Sequence, residues 1–334
     1  MVRIGIIGYG WVARDYMAPA IVRHPEASLM AVVSKDDPVP EKDRKAGLPH
    51  HYTDAGTMLR EEELDMVYIA TPNHLHRTHT ELALDHGLHV LCEKPMAATL
   101  KDVEGMREAI DRSTCHYATA LDQRWHPAHL RMRDLIADND LGTITQVRLD
   151  YACWLDAGWS ADNWRIDPAR AGGGAIIDLA PHGLDLVEFV TGQRLKTLHI
   201  LDQRAVQDYT VDDGGVLSGR LSGGAVLSHT VGYNRPETLP RRRLEVIGTG
   251  GVLLAENTMG QDPGGRLTFI GATDGKRHLL DFDHATSPFD LQLDGFLKSI
   301  DNGGRSTSGR TPGDDVRLAR LFHAALPNPT PSCP

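Results

Sequence analysis

At 334 residues, with 41% hydrophobic and 24% charged residues, the chain has the size of two soluble globular domains rather than one. Thirty-five Lys and Arg against 45 Asp and Glu give a net charge of −10, which repels phosphate backbones and argues against nucleic acid or an anionic membrane as a partner. The four cysteines are scattered without a CxxC pair, no apolar run nears the roughly 20 residues that span a bilayer, and a strand-like run already starts at residue 3; a cytoplasmic, soluble protein is expected.

Residues 3–8 (RIGIIG) form a β-branched run that stops at glycine, as a buried parallel strand does. A helical pattern follows at 13–23, then a strand at 28–34, a helix at 55–62 and a strand at 66–70. A helix at 78–86, a strand at 89–92 and a helix at 100–111 complete the series. Strand alternating with helix predicts right-handed crossovers and a doubly wound parallel sheet, a Rossmann-type α/β domain over residues 1–122. Beyond it, 128–138 reads as a helix. Strand-like runs at 144–152, 195–201, 214–221, 225–232, 243–247 and 267–270 are separated by turn signals such as SGG, GTGG and DPGG. Strands following one another without helices predict a large, mainly antiparallel sheet. Helices in 175–190, 289–300 and 314–325 flank that sheet in a second α/β domain, 123–326. The proline-rich tail 327–334 is expected to be disordered.

The loop Gly8-Tyr9-Gly10-Trp11-Val12-Ala13 follows the first strand and opens the first helix, a GxGxxA dinucleotide fingerprint in its proper context. Gly8 permits the tight turn, Gly10 lets backbone N–H groups approach a pyrophosphate, and Ala13 lets the helix sit close to the sheet. The second strand ends in Ser34-Lys35-Asp36. Ser34 stands where NAD-specific loops carry an acid, and Lys35 suits a 2′-phosphate. The reading leans towards NADP, with NAD kept open by Asp36.

Cys92-Glu93-Lys94-Pro95 ends the fourth strand, at the carboxyl end where ligands of open α/β sheets bind. With this motif the chain resembles the Gfo/Idh/MocA family, named for glucose–fructose oxidoreductase, inositol dehydrogenase and a rhizopine-catabolism protein. The matching pieces are residues 8–13, 70–73 (ATPN) with His76, 93–95 (EKP), 124–127 (RWHP), 172–182 (GGGAIIDLAPH) and 243–253 (RLEVIGTGGVL). The resemblance implies a Rossmann domain followed by an open-sheet domain whose outer face serves homo-oligomerisation, as a dimer or tetramer. It also implies that Lys94, Asp178 and His182 are the catalytic lysine, aspartate and histidine. Thr71, Pro72, Asn73, His76, Glu93 and Lys94 would lie at the cofactor, Asn73 and His76 either contacting it or supporting the cleft, with the Lys94–Pro95 bond cis.

Asp178 and His182 are four apart and share a helix face, unless Pro181 kinks or starts the helix there. Histidine titrates near neutrality and suits a group that must take and return the hydroxyl proton. Lys94 would bond the reacting oxygen. Asp178 would orient substrate or a catalytic side chain. Trp154, Trp159, Trp164 and Arg165 precede the glycine run and suit a sugar ring and its hydroxyls. Arg124, Trp125, His126 and Tyr151 are further candidates for the same cleft, and Arg124, Trp164, Arg165 and His182 are taken as substrate-binding. His74, His76 and His79 lack a supporting cysteine or carboxylate cluster, so no metal is expected. Arg241, Arg242 and Arg243 could bind a phosphorylated or acidic substrate, but read rather as a solvated strand edge, which discourages unwanted strand pairing.

The function expected is hydride transfer between a nicotinamide and a carbon of a sugar, cyclitol or keto-sugar. Two alternatives are a glycosidase or epimerase that returns the hydride to a tightly held NAD, and a non-catalytic cofactor-binding sensor.

Overall fold

The computed structural model describes residues 1–34, 50–160, 162–303, 307 and 309–327; Lys35 and residues 328–334 lie outside the described residues. The chain forms two compact units, one of residues 1–120 with 289–319 and the other of 121–288 with 320–334. The sequence division at 122 and 123 had counted residues 289–319 with the second domain. They pack with the first instead, because the apolar face of a late helix completes that unit's core.

The first unit is a six-stranded sheet of β1 (Val2–Ile7), β2 (Ala27–Val33), β3 (His50–Tyr52), β4 (Met66–Ile69), β5 (His89–Glu93) and β6 (Tyr117–Ala120). Its order is β3-β2-β1-β4-β5-β6, with every pairing parallel. The short strands β3 and β6 carry no sustained apolar run and escape the sequence reading.

Side chains alternate across the sheet, so Ile4 and Ile6 enter one apolar layer and Ile7 the other. The first layer is closed by α1 (Ala13–Met17, a π-helical turn, running into Ala18–Arg23) and by Phe289, Leu293, Phe296 and Leu297 of the late helix Pro288–Asp301. The second is closed by α2 (Ala55–Glu61), α3 (His76–Asp85) and α4 (Leu100–Arg112). Between β1 and β4 the strand order reverses, and in such sheets ligands bind beyond the carboxyl ends of the strands at that point.

The second unit begins with a 3-10 turn, Asp122–Trp125, and α5 (Pro127–Ala137). Its eight strands are β7 (Ile144–Ala152), β8 (Leu195–Gln203), β9 (Gly214–Leu221), β10 (Val226–Gly232), β11 (Arg242–Gly248), β12 (Gly251–Glu256), β13 (Arg266–Gly271) and β14 (Arg277–Leu280). The order is β14-β13-β12-β11-β7-β10-β9-β8, antiparallel except for the parallel pair β7 and β10. The short helix α6 (Pro168–Ala171) leads into α7 (Ala175–Thr191), which packs on β7 and β10. On that face β7 presents Val147, Leu149 and Tyr151, all buried. The late helices are α8 (Pro288–Asp301) and α9 (Pro312–Ala325). Among the described residues no helix is long and apolar enough to cross a membrane.

β11 lies inside the sheet, between β12 and β7, so Arg242 and Arg243, which begin it, are not on a strand edge. Arg242 turns its guanidinium over the Tyr151 ring, 5.9 Å from the centroid.

Candidate active site

In the first unit the glycine loop sits at the sheet's reversal point. Gly8 has φ +95°, and a Cβ there would stand 2.7 Å from the backbone of Ala70 and Thr71 at the end of β4. The N–H groups of Gly8 and Tyr9 both donate to the Val33 carbonyl at 3.0 Å, fixing the turn against β2. At Gly10 a Cβ would meet nothing within 4 Å, so the backbone there faces open space. Ala13 is fully buried beneath the loop. A turn that only glycine can make and an open cradle before the first helix fit a dinucleotide pyrophosphate.

Around this loop the residues expected at the cofactor take distinct places. Trp11 is exposed and packs edge-on against Tyr16, while Ser34 donates its N–H to the Tyr52 carbonyl at 3.0 Å. Asn73 is buried at the start of α3.

His76 is fully enclosed, with Nδ1 2.9 Å from the Pro95 carbonyl and Nε2 3.0 Å from the Thr71 carbonyl. Burial lowers its pKa to about 4. Both ring nitrogens face backbone carbonyls, and the neutral ring can donate to one of them, so His76 is enclosed between the Thr71 loop and the turn after Lys94 rather than turned towards a cofactor. In that turn the Lys94–Pro95 bond is cis. Glu93 accepts the Tyr68 hydroxyl at 2.5 Å and the Lys94 N–H at 3.3 Å.

In the second unit the glycine run makes the start of α7. Gly172, at φ +88°, ends α6. A Cβ on Gly174 would lie 2.0 Å from the Asp212 carbonyl oxygen. That close approach lets the Asp212 carboxylate accept the N–H groups of Gly174 at 2.9 Å and Ile176 at 2.7 Å. Burial raises the pKa of Asp212 against these bonds. The helix then runs through Pro181 without a break, so Asp178 and His182 are one turn apart on a single helix.

Asp178 accepts the hydroxyl of the buried Tyr233 at 2.6 Å. His182 is buried, and its imidazole meets the Tyr151 ring edge-on at 5.5 Å. Its Nδ1 stands 3.1 Å from the Asp122 carboxylate, at ion-pair distance but outside hydrogen-bond alignment.

The remaining candidates divide. Arg165 places its guanidinium over the indoles of Trp159 and Trp164, 5.1 and 4.6 Å from their rings. Arg124 does not suit the substrate role expected of it. Its guanidinium is buried, bonded through two nitrogens to both carboxylate oxygens of Asp185, and stacked over Phe189 at 4.8 Å. His126 is likewise buried and caps α5 by accepting the Ala128 N–H at 3.2 Å. Asp122, Asp212 and Tyr233 went unnoticed in the sequence, since no motif links them to the helix that they touch.

A Rossmann unit with a glycine cradle at its reversal point, joined in one chain to an open-sheet unit carrying a buried Asp–His helix, defines a class of dinucleotide-dependent oxidoreductases. The family description "Oxidoreductase family, NAD-binding Rossmann fold" matches residues 2–120, and "GFO/IDH/MocA C-terminal domain" matches residues 129–254. The chain belongs to the Gfo/Idh/MocA oxidoreductase family.

Among its relatives, the 1,5-anhydro-D-fructose reductase of Ensifer adhaerens is 29% identical over 313 residues, covering 92% of this chain and 91% of that protein. The D-xylose 1-dehydrogenase (NADP(+)) 2 of Haloferax volcanii is 28% identical over 302 residues, covering 90% and 89%. The crystal structure of aldose-aldose oxidoreductase from Caulobacter crescentus, complexed with glycerol, matches with a TM-score of 0.83 at 24% identity over 97% of each chain, a likeness of fold.

Proposed function

We propose that this protein moves a hydride between a nicotinamide dinucleotide and a hydroxyl-bearing carbon of a sugar, cyclitol or related keto-sugar. The observation that carries this reading is a buried imidazole on the same helix as Asp178, in a chain whose other unit has the glycine cradle. The relatives named for anhydrofructose and xylose support the substrate class.

When bound, the nicotinamide supplies or takes the hydride. His182 takes the hydroxyl proton in oxidation and returns it in reduction. Lys94 donates to the reacting oxygen and stabilises its alkoxide character. Asp178, steadied by Tyr233, holds a neighbouring substrate hydroxyl, while Trp164 and Arg165 receive the ring. Ser34 offers no carboxylate to a ribose 2′-hydroxyl, and this supports NADP over NAD.

The test is a panel of aldoses, anhydro-sugars, cyclitols and keto-sugars assayed with both nicotinamides at the reduced-cofactor absorbance band. Stoichiometric cofactor turnover, with NADP preferred, is expected. Lys94→Ala and His182→Ala should each lower kcat by about 10²–10⁴-fold. Product formed without net cofactor change would replace this reading with a redox-cycling glycosidase or epimerase. Unchanged physiological activity in both variants would replace it with a sensor.

A further inference from the structure

We propose that Asp122 is the positioning residue for His182, holding the imidazole proton on Nδ1 so that Nε2 is the nitrogen that exchanges a proton with substrate. This rests on the reading of His182 as the acid and base, and adds to it a residue outside the Asp178–His182 pair.

The neighbourhood of the imidazole points to Asp122. On the same helix, Asp178 takes the Tyr233 hydroxyl and Asp185 takes the Arg124 guanidinium. From β7 the Tyr151 ring meets the imidazole edge-on. From β10, His229 stands beside Gly183, with its own Nδ1 at 3.2 Å from the Leu149 carbonyl. The carboxylate that stands against His182 Nδ1 is that of Asp122, 3.1 Å away, and both side chains are about nineteen-twentieths buried (5% and 6% exposed). Among the described residues His182 Nδ1 has no other hydrogen-bond partner, and leaving such a buried donor unmade costs about 1–3 kcal/mol.

Asp122 is itself held. Its second oxygen accepts the Gln123 amide at 2.8 Å. Gln123 exchanges two hydrogen bonds with the Gly260 backbone, at 3.0 and 3.2 Å. The Gln123 carbonyl faces His129 Nδ1 at 2.6 Å, and His129 Nε2 in turn faces the Thr258 hydroxyl at 2.8 Å. A carboxylate fixed in this way selects one tautomer, because an acceptor cannot face the lone pair of Nδ1 without repulsion. In oxidation the substrate O–H proton would pass to Nε2, a bound nicotinamide supplying the acceptor for the hydride. The imidazolium so formed is stabilised by the buried carboxylate.

Asp122→Asn is the informative substitution. The amide oxygen can still accept from Gln123, which turns the amide N–H towards Nδ1 and selects the wrong tautomer. The ¹⁵N shifts of the imidazole, assigned against His182→Gln, report the tautomer directly without substrate. The proton is expected on Nδ1 in the wild type at neutral pH and on Nε2 in Asp122→Asn. In the same variant kcat should fall by about 10²–10⁴-fold with KM within about threefold, and dinucleotide affinity should be unchanged.

A wild-type His182 protonated on Nε2 overturns the proposal even if the variant does not fold. A tautomer that moves while kcat stays at the wild-type level overturns the role of His182 as acid and base instead. The two failures are thereby distinguished.

Discussion

A Cβ on Gly8 would strike the backbone at 2.7 Å in a left-handed conformation, whereas one on Gly10 would meet nothing within 4 Å. Identical letters in the fingerprint therefore answer to different demands. Gly8→Ala should destabilise the protein by about 2–4 kcal/mol, read as a fall in the urea midpoint. Gly10→Val should change the stability by no more than about 1 kcal/mol and weaken dinucleotide binding by at least about tenfold, read by titration of the intrinsic fluorescence. Equal effects of the two on stability would show that Gly10 is also a folding residue. The spacing of the glycines was legible from the sequence. Their different roles, a tight turn at Gly8 and a close ligand approach at Gly10, were legible too; the backbone of Ala70 and Thr71 that closes on Gly8 was not, because β4 reaches Gly8 only in three dimensions.

Helix α7 carries Asp178 and His182, and its placement depends on partners far away in the chain. Asp212 caps its start, and the Arg124–Asp185 pair ties its middle to the 3-10 turn that presents Asp122. Arg124→Leu leaves Asp185 a buried carboxylate without its cation and should cost about 3–5 kcal/mol. Adding Asp185→Leu should recover most of that loss. A double variant as unstable as the single one would mean that packing of the arginine stem, not the charge, matters. The sequence reading placed Arg124 in the substrate cleft, since an arginine inside a matching motif looks functional. A motif does not say where a side chain points, and here Asp185 and Phe189 enclose it. Pro181 raised a similar difficulty: the sequence left a kink or a late start open, and the observed helix simply continues through it.

Across the whole molecule, His76, His129 and His229 are enclosed, and burial lowers each from 6.5 to about 4. An unfolded chain takes up these protons near 6.5 while the folded chain resists down to about 4. Between those values the unfolded state binds more protons, so the stability is full above 6.5 and declines as the pH falls. Each histidine contributes a slope of about 1.4 kcal/mol per pH unit in that window. Urea unfolding at pH 7, 6 and 5 should show the decline, and His229→Asn should remove one such increment of slope. An unchanged slope would mean that His229 is already protonated in the folded protein.

The alternation of strand and helix, the glycine spacing and the lysine motif were readable in order along the chain because each depends on neighbours a few residues apart. They sufficed for the Rossmann domain, the mainly antiparallel second sheet and the oxidoreductase family. The return of residues 289–319 to the first unit, the interior place of β11 and the approach of Asp122 to His182 depend on contacts between distant segments. Local periodicity carries no record of those contacts; packing of the buried faces decides them.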